Sequence, residues 1–117
     1  MKSLSIKEYL SLKMPTEDAP VSDQQRIELA LNTLGYENVC IPLSVLRKLY
    51  PLCRDADFDI TVTLVRREYD WVLTHVETGD QRHHHYGLAV DYGSTTILMQ
   101  MVDLNTGSVI AEEKLVN

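Results

Sequence analysis

The sequence predicts an α+β fold in which a small two-helix plus β-hairpin module precedes an antiparallel β-meander. Three observations carry this prediction. A capped segment with apolar residues at helical spacing runs from Ser22 to Gly35. The pattern switches to strict alternation at Phe58. After residue 86, three short apolar runs are separated by tight loops of small and turn-forming residues. The implied organisation is an extended linker over 1–21, the module over 22–80 and the meander over 81–117. Apolar residues make up 44% of the chain and charged residues 24%, the balance of a folded rather than a disordered protein. At 117 residues the chain fills one ordinary domain or two very small ones.

The first segment is the least periodic. Met14-Pro15-Thr16-Glu17-Asp18-Ala19-Pro20 holds two prolines beside adjacent acids, which favours extended, surface-running chain. Ser22 then opens the clearest helix. With Gln25 three residues later it forms a capping box, and Asp23 places negative charge in the first turn. Ile27, Ala30, Leu31 and Leu34 follow on one face, and Gly35 is the expected residue just past the end. This helix packs a core.

Pro42 starts a second helical stretch in which Leu43, Leu46, Leu49 and Leu52 recur every third residue. Pro51 lies inside that pattern, so the expectation is a short helix before it and a separate turn of helix after it. From Phe58, the residues Ile60, Val62 and Leu64 alternate with Asp59, Thr61 and Thr63, as in a strand with one buried face. Arg66-Arg67-Glu68 interrupts, and residues 69–76 read as the returning strand, with Trp71 covering the edge of the core. Cys40 and Cys53 both read as reduced, structural residues in apolar helical surroundings. Two cysteines are too few for a disulfide framework or a four-thiolate cluster.

Between the module and the meander lies Gln81-Arg82-His83-His84-His85, a polar bridge. Imidazole is a common metal ligand. Adjacent residues on extended chain point in opposite directions, however, so the run reads as solvent-exposed before it reads as a metal site. A formal charge of −6 argues against nucleic acid as a partner. No stretch approaches the ~20 apolar residues of a membrane span. The N-terminus lacks the apolar run of a signal peptide, which makes the cytoplasm the expected location.

The last third carries the chemistry. Gly87-Leu88-Ala89-Val90 is a continuous apolar run, as in a strand buried on both faces, and it delivers Asp91. The loop that follows is Tyr92-Gly93-Ser94-Thr95-Thr96, then a strand over 97–102, a turn at Asp103-Leu104-Asn105-Thr106-Gly107 and a strand over 108–114. Gly93 lets the backbone approach an anion, and Ser94, Thr95 and Thr96 offer N–H groups and hydroxyls to phosphate oxygens. Asp91 is placed to hold Mg²⁺ through water, since that ion keeps much of its hydration shell. The residues equally describe a plain hairpin turn rich in small side chains.

Leu88-Ala89-Val90-Asp91-Tyr92-Gly93-Ser94-Thr95-Thr96 resembles the first phosphate motif of the acetate and sugar kinase, heat-shock ATPase and actin superfamily. More narrowly, residues 86–111 resemble the ATPase domain of the reductive activators of corrinoid-dependent methyltransferases and corrinoid iron–sulfur proteins. Residues 41–49 and 57–64 resemble the linker and middle domains of the same activators. The resemblance implies that the meander opens a ribonuclease-H-like lobe. It further implies that Gly93, Ser94, Thr95 and Thr96 bind nucleotide phosphate and that Asp91 serves Mg²⁺. The implied cofactors are ATP and Mg²⁺, and the implied partner is a corrinoid protein or corrinoid-dependent methyltransferase whose cobalt(II) is reduced to cobalt(I).

The sequence departs from that design in lacking four cluster-binding cysteines, the second phosphate loop, the adenosine motif and a second lobe. The expectation is therefore a fragment or truncated relative, without catalysis of its own. The alternatives are a non-catalytic module that docks a corrinoid protein or an activator, and a fragment of a sugar-kinase-like phosphotransferase. A meander lacking its covering elements is also expected to self-associate as a homodimer through residues 86–116.

Overall fold

The computed structural model describes residues 4–18 and 20–116. The N-terminal reading at Met1, Lys2 and Ser3, the linker position Ala19 and the terminal Asn117 lie outside them. The chain folds as two compact units that divide between Arg82 and His83.

The first unit is a four-stranded sheet with two helices. Its elements are β1 (Ser5–Ser11), α1 (Asp23–Thr33), β2 (Val39–Cys40), α2 (Leu43–Asp55), β3 (Asp59–Arg66) and β4 (Trp71–Thr78). The strand order is β1-β3-β4-β2, antiparallel except for the short parallel pairing of β2 with β4. The expected extended linker over 1–21 is thus corrected: residues 5–11 are a sheet strand, in register from Ser5↔Val65 to Ser11↔Asp59. The signal was hidden by Glu8. It shares the core-facing side of β1 with Ile6 and Leu10, where an apolar residue would have completed the alternation. Its carboxylate is satisfied there by the Tyr36 hydroxyl at 2.6 Å. Burial, reinforced by that hydrogen bond, raises the Tyr36 pKa.

Both halves of the capping box on α1 form, with Ser22 accepting from the Gln25 amide and the Gln25 side chain accepting from the Ser22 amide. Ile27 and Leu31 are fully buried one turn apart, and Gly35 takes φ +97° just past the end. The second helix departs from expectation in two ways. It runs unbroken through Pro51, and the face it buries is Val45, Leu49 and Cys53; of the leucine row Leu49 alone is fully buried, Leu46 and Leu52 are half-buried and Leu43 is exposed. One missing N–H costs a helix a hydrogen bond, and the burial of three side chains at i, i+4 and i+8 offsets that. Asp23 at the start of α1 bridges Arg54 near the end of α2 at 2.8 Å.

From α2 the chain turns through Asp57 and Phe58, both at positive φ, while the Phe58 amide donates to the Cys53 carbonyl at 2.7 Å. Phe58 is 2% exposed, and with Ile60, Val62, Leu64 and Leu73 it meets the helices in one core. Trp71 packs against that core, edge-on to Tyr36 at 5.0 Å. The β3–β4 hairpin closes where the Arg67 amide donates to the Asp70 carbonyl and the Arg67 guanidinium grips the Asp70 carboxylate. Cys40 lies exposed on β2, not in helical context, whereas Cys53 is buried; both thiols are free.

The second unit is a separate antiparallel sheet, β5 (Tyr86–Tyr92), β6 (Thr96–Asp103) and β7 (Val109–Val116), in that order. The register runs from Tyr86↔Asp103 to Tyr92↔Ile97 and from Thr96↔Val116 to Val102↔Val109, with an irregularity beside Met101. The expectation that residues 87–90 are buried on both faces is corrected. Leu88 is 64% and Val90 54% exposed, because the described residues of the second unit form a single sheet layer with no element of that unit packed on it. His83 and His84 are exposed as expected, but His85 is buried. Its carbonyl accepts from the Leu104 amide at 2.9 Å, which fastens the β6–β7 turn to the start of β5.

Candidate functional site

The candidate residues lie at one end of the second unit, around the β5–β6 connection. Asp91 and Tyr92 are the last residues of β5, and Asp91 is opposite Leu98 in the ladder. Gly93, Ser94 and Thr95 form the connection, and Thr96 is the first residue of β6. Asp91, Ser94 and Thr95 are exposed, whereas Gly93 and Thr96 are half-buried. By the two-residue period of a strand, Asp91 shares its face with Ala89 and with Leu98 opposite, while Leu88, Val90 and Tyr92 occupy the other face.

Gly93 is required for space rather than for an unusual backbone angle. Its amide donates to the Thr96 carbonyl at 2.8 Å, and a Cβ at Gly93 would stand 2.9 Å from that same oxygen. The Gly93 N–H is thereby engaged within the turn. The groups the loop presents outward are those of Ser94 and Thr95 at its tip, with the Asp91 carboxylate at its base. Chemically this is a small donor-rich tip beside a carboxylate, a pairing that suits a phosphate and a hydrated divalent cation. Tyr92, 72% exposed, continues the apolar face of Leu88 and Val90 up to the loop.

Among the described residues no three His, Cys, Asp or Glu side chains converge to hold a metal ion. Cys40 and Cys53 do not form part of a cluster-binding set, and burial pushes the Cys53 thiol up to about 11, with Asp23 reinforcing and Arg54 opposing. This donor set does not fit an iron–sulfur cluster, which needs four ligands. Among the described residues no helix is long and apolar enough to cross a membrane.

Sequence reasoning missed a second constellation, on the first unit. The side of β3 turned away from the helices carries Thr61, which is completely buried although its strand partners there are polar, Tyr9 on β1 and Glu77 on β4. Beside them Lys7 meets Glu77 at 2.6 Å. Buried threonine at a polar-face position signals a cover, and that cover is the segment just after β4.

The RACo linker region matches residues 1–83, and the RACo middle region matches residues 86–117. The helical module over 22–80 thus falls within the linker-region match, and the meander falls in the middle-region match. A search of the curated proteins finds no match. Among solved structures, a reductive activator for corrinoid,iron-sulfur protein superposes with a TM-score of 0.79 at 27% identity, covering 99% of this chain and 18% of that one. The chain therefore spans about a fifth of the length of that relative. It belongs to the family of the RACo linker region, carries a match to the RACo middle region behind it, and is related to the reductive activators of corrinoid proteins.

Proposed function

We propose that this chain serves an ATP-dependent reductive activator of corrinoid proteins and contributes its first phosphate loop. The observation that supports this reading is the match to a reductive activator along almost the whole chain, together with the tight turn that joins β5 to β6 at Gly93–Thr95. In this reading Ser94 and Thr95 donate to the phosphates, and Gly93 holds the turn narrow enough for its tip to stand clear of the sheet. Asp91 orients water around Mg²⁺, and Thr96 anchors the turn to β6. Bound ATP–Mg²⁺ supplies the free energy that makes reduction of cobalt(II) to cobalt(I) favourable. The electron comes from outside these residues, whose thiols do not suit a cluster. The partner is a corrinoid protein or a corrinoid-dependent methyltransferase, and the two free thiols fit a cytoplasmic, reducing setting.

By itself this loop encloses no nucleotide, since Asp91, Ser94 and Thr95 are exposed. The 117-residue chain should therefore bind ATP–Mg²⁺ at millimolar strength at best in calorimetry, with no hydrolysis. Joined to a complete ATPase lobe, Asp91→Asn should lower ATP turnover by about 10²-fold or more, because a charge aimed at the cation is lost, while the melting temperature stays put. Unchanged turnover in that variant would make the loop an ordinary hairpin turn.

A second copy of the chain is the proposed cover for the meander. Tyr86, Leu88, Val90 and Tyr92 on β5, Met101 on β6 and Leu115 on β7 are all exposed, and the register places them on one face.

A further inference from the structure

The segment that leaves β4 folds back over the polar side of the first unit's sheet. Gly79 turns at φ +70° and its amide donates to the Asp59 carbonyl at 2.8 Å. The Thr61 hydroxyl then makes two hydrogen bonds to the same segment. It donates to the Gly79 carbonyl at 2.6 Å and accepts from the Gln81 amide at 2.9 Å. Asp80 between them accepts from the Arg82 guanidinium at 2.9 and 2.7 Å, and that guanidinium lies 5.5 Å from the centre of the Tyr9 ring. One fully buried hydroxyl thus joins two backbone groups of irregular chain, and a cation held over β1 finishes the closure.

We propose that residues 79–82 are a latch, keyed by Thr61, that fixes where the chain leaves the first unit. Closed, the latch keeps these residues on the sheet, and the connection to β5 begins at His83. Open, it adds four residues to that connection, up to roughly 13 Å of extended reach. Thr61 is the positioning residue because its one hydroxyl bonds both the Gly79 carbonyl and the Gln81 amide. Sheet pairing does not depend on it: the β3 ladder to β1 and β4 is made by backbone groups. Removing the hydroxyl leaves the Gly79 carbonyl and the Gln81 amide, both half-buried, without this partner, which favours opening. The proposal concerns the first unit and is independent of the phosphate-loop reading.

The test uses the 117-residue chain with amide exchange and limited trypsin digestion after Arg82. In the wild type the Gln81 amide should exchange far more slowly than an unstructured amide, although it lies outside any strand. Thr61→Val, matched in shape and β-branching, should speed exchange at Gln81 and cleavage at Arg82–His83 at least ten-fold, while the amides of β3 and β4 keep their protection. Thr61→Ser, which keeps the hydroxyl, should behave like the wild type. Equal Gln81 exchange in Thr61→Val and wild type, with the ladder intact, would overturn the latch. Should Thr61→Val also loosen the ladder, the wild type and Thr61→Ser decide: free exchange at Gln81 in either one overturns it.

Discussion

Cys40 and Cys53 show how far one environment can separate two identical side chains. Cys40 stands exposed on β2, while Cys53 faces the core from α2 with its pKa pushed up to about 11, chiefly by burial. A thiol that holds its proton more tightly when folded stabilises the native state below its unfolded pKa near ~8.5–9. That contribution is lost as pH rises toward 11. At ~1.4 kcal/mol per pH unit, the loss across this window is about 2–3 kcal/mol. Denaturant titrations at pH 8 and pH 11, read as the difference between wild type and Cys53→Ala, should show it; an equal pH response in both would refute it. At pH 8 a thiol reagent should modify Cys40 quickly and Cys53 only upon unfolding.

Among the elements, α1 was legible because its signals are local: Ser22, Gln25 and Gly35 each act within one turn of the residue they cap. The meander was legible for the same reason, its turns being written in Gly93 and in Asn105-Thr106-Gly107. What the sequence hid depends on distant partners. β1 reads as linker until Tyr36 arrives to satisfy Glu8, and β2 is two residues long, defined by Trp71 and Val72 across from it. The β5 ladder could be read, but its exposure could not, since that depends on what covers it. Helix α2 runs through Pro51 against the local propensity of proline, because burial of the stripe Val45, Leu49 and Cys53 outweighs one missing N–H. This is testable. Pro51 is exposed, so Pro51→Ala should restore a backbone bond to the Arg47 carbonyl and stabilise the first unit by about 1–3 kcal/mol. A lower melting temperature in that variant would show that the proline ring itself supports the helix.

At the scale of the molecule, the two units differ in how completely they bury themselves. The first encloses a core from two helices and four strands. The second is a bare sheet, with all of β7 and most of β5 exposed. In the proposed self-association, a second copy covers these edges and this apolar face. Light scattering at about 100 µM should give a mass above that of one chain, falling on dilution by mass action. Leu88→Lys, on the apolar face, should return it to the monomer, and a monomeric wild type would sink the idea. The order of the sheet in the first unit has a consequence for synthesis. β1 ends at Ser11, but its partner β3 is complete only at Arg66. At ~5–20 residues per second, a nascent β1 waits roughly 3 to 11 s on the ribosome before it can pair. Lys7 and Glu8 at its centre give it both charges during that interval, so the residue that disguised the strand also keeps it soluble while it waits.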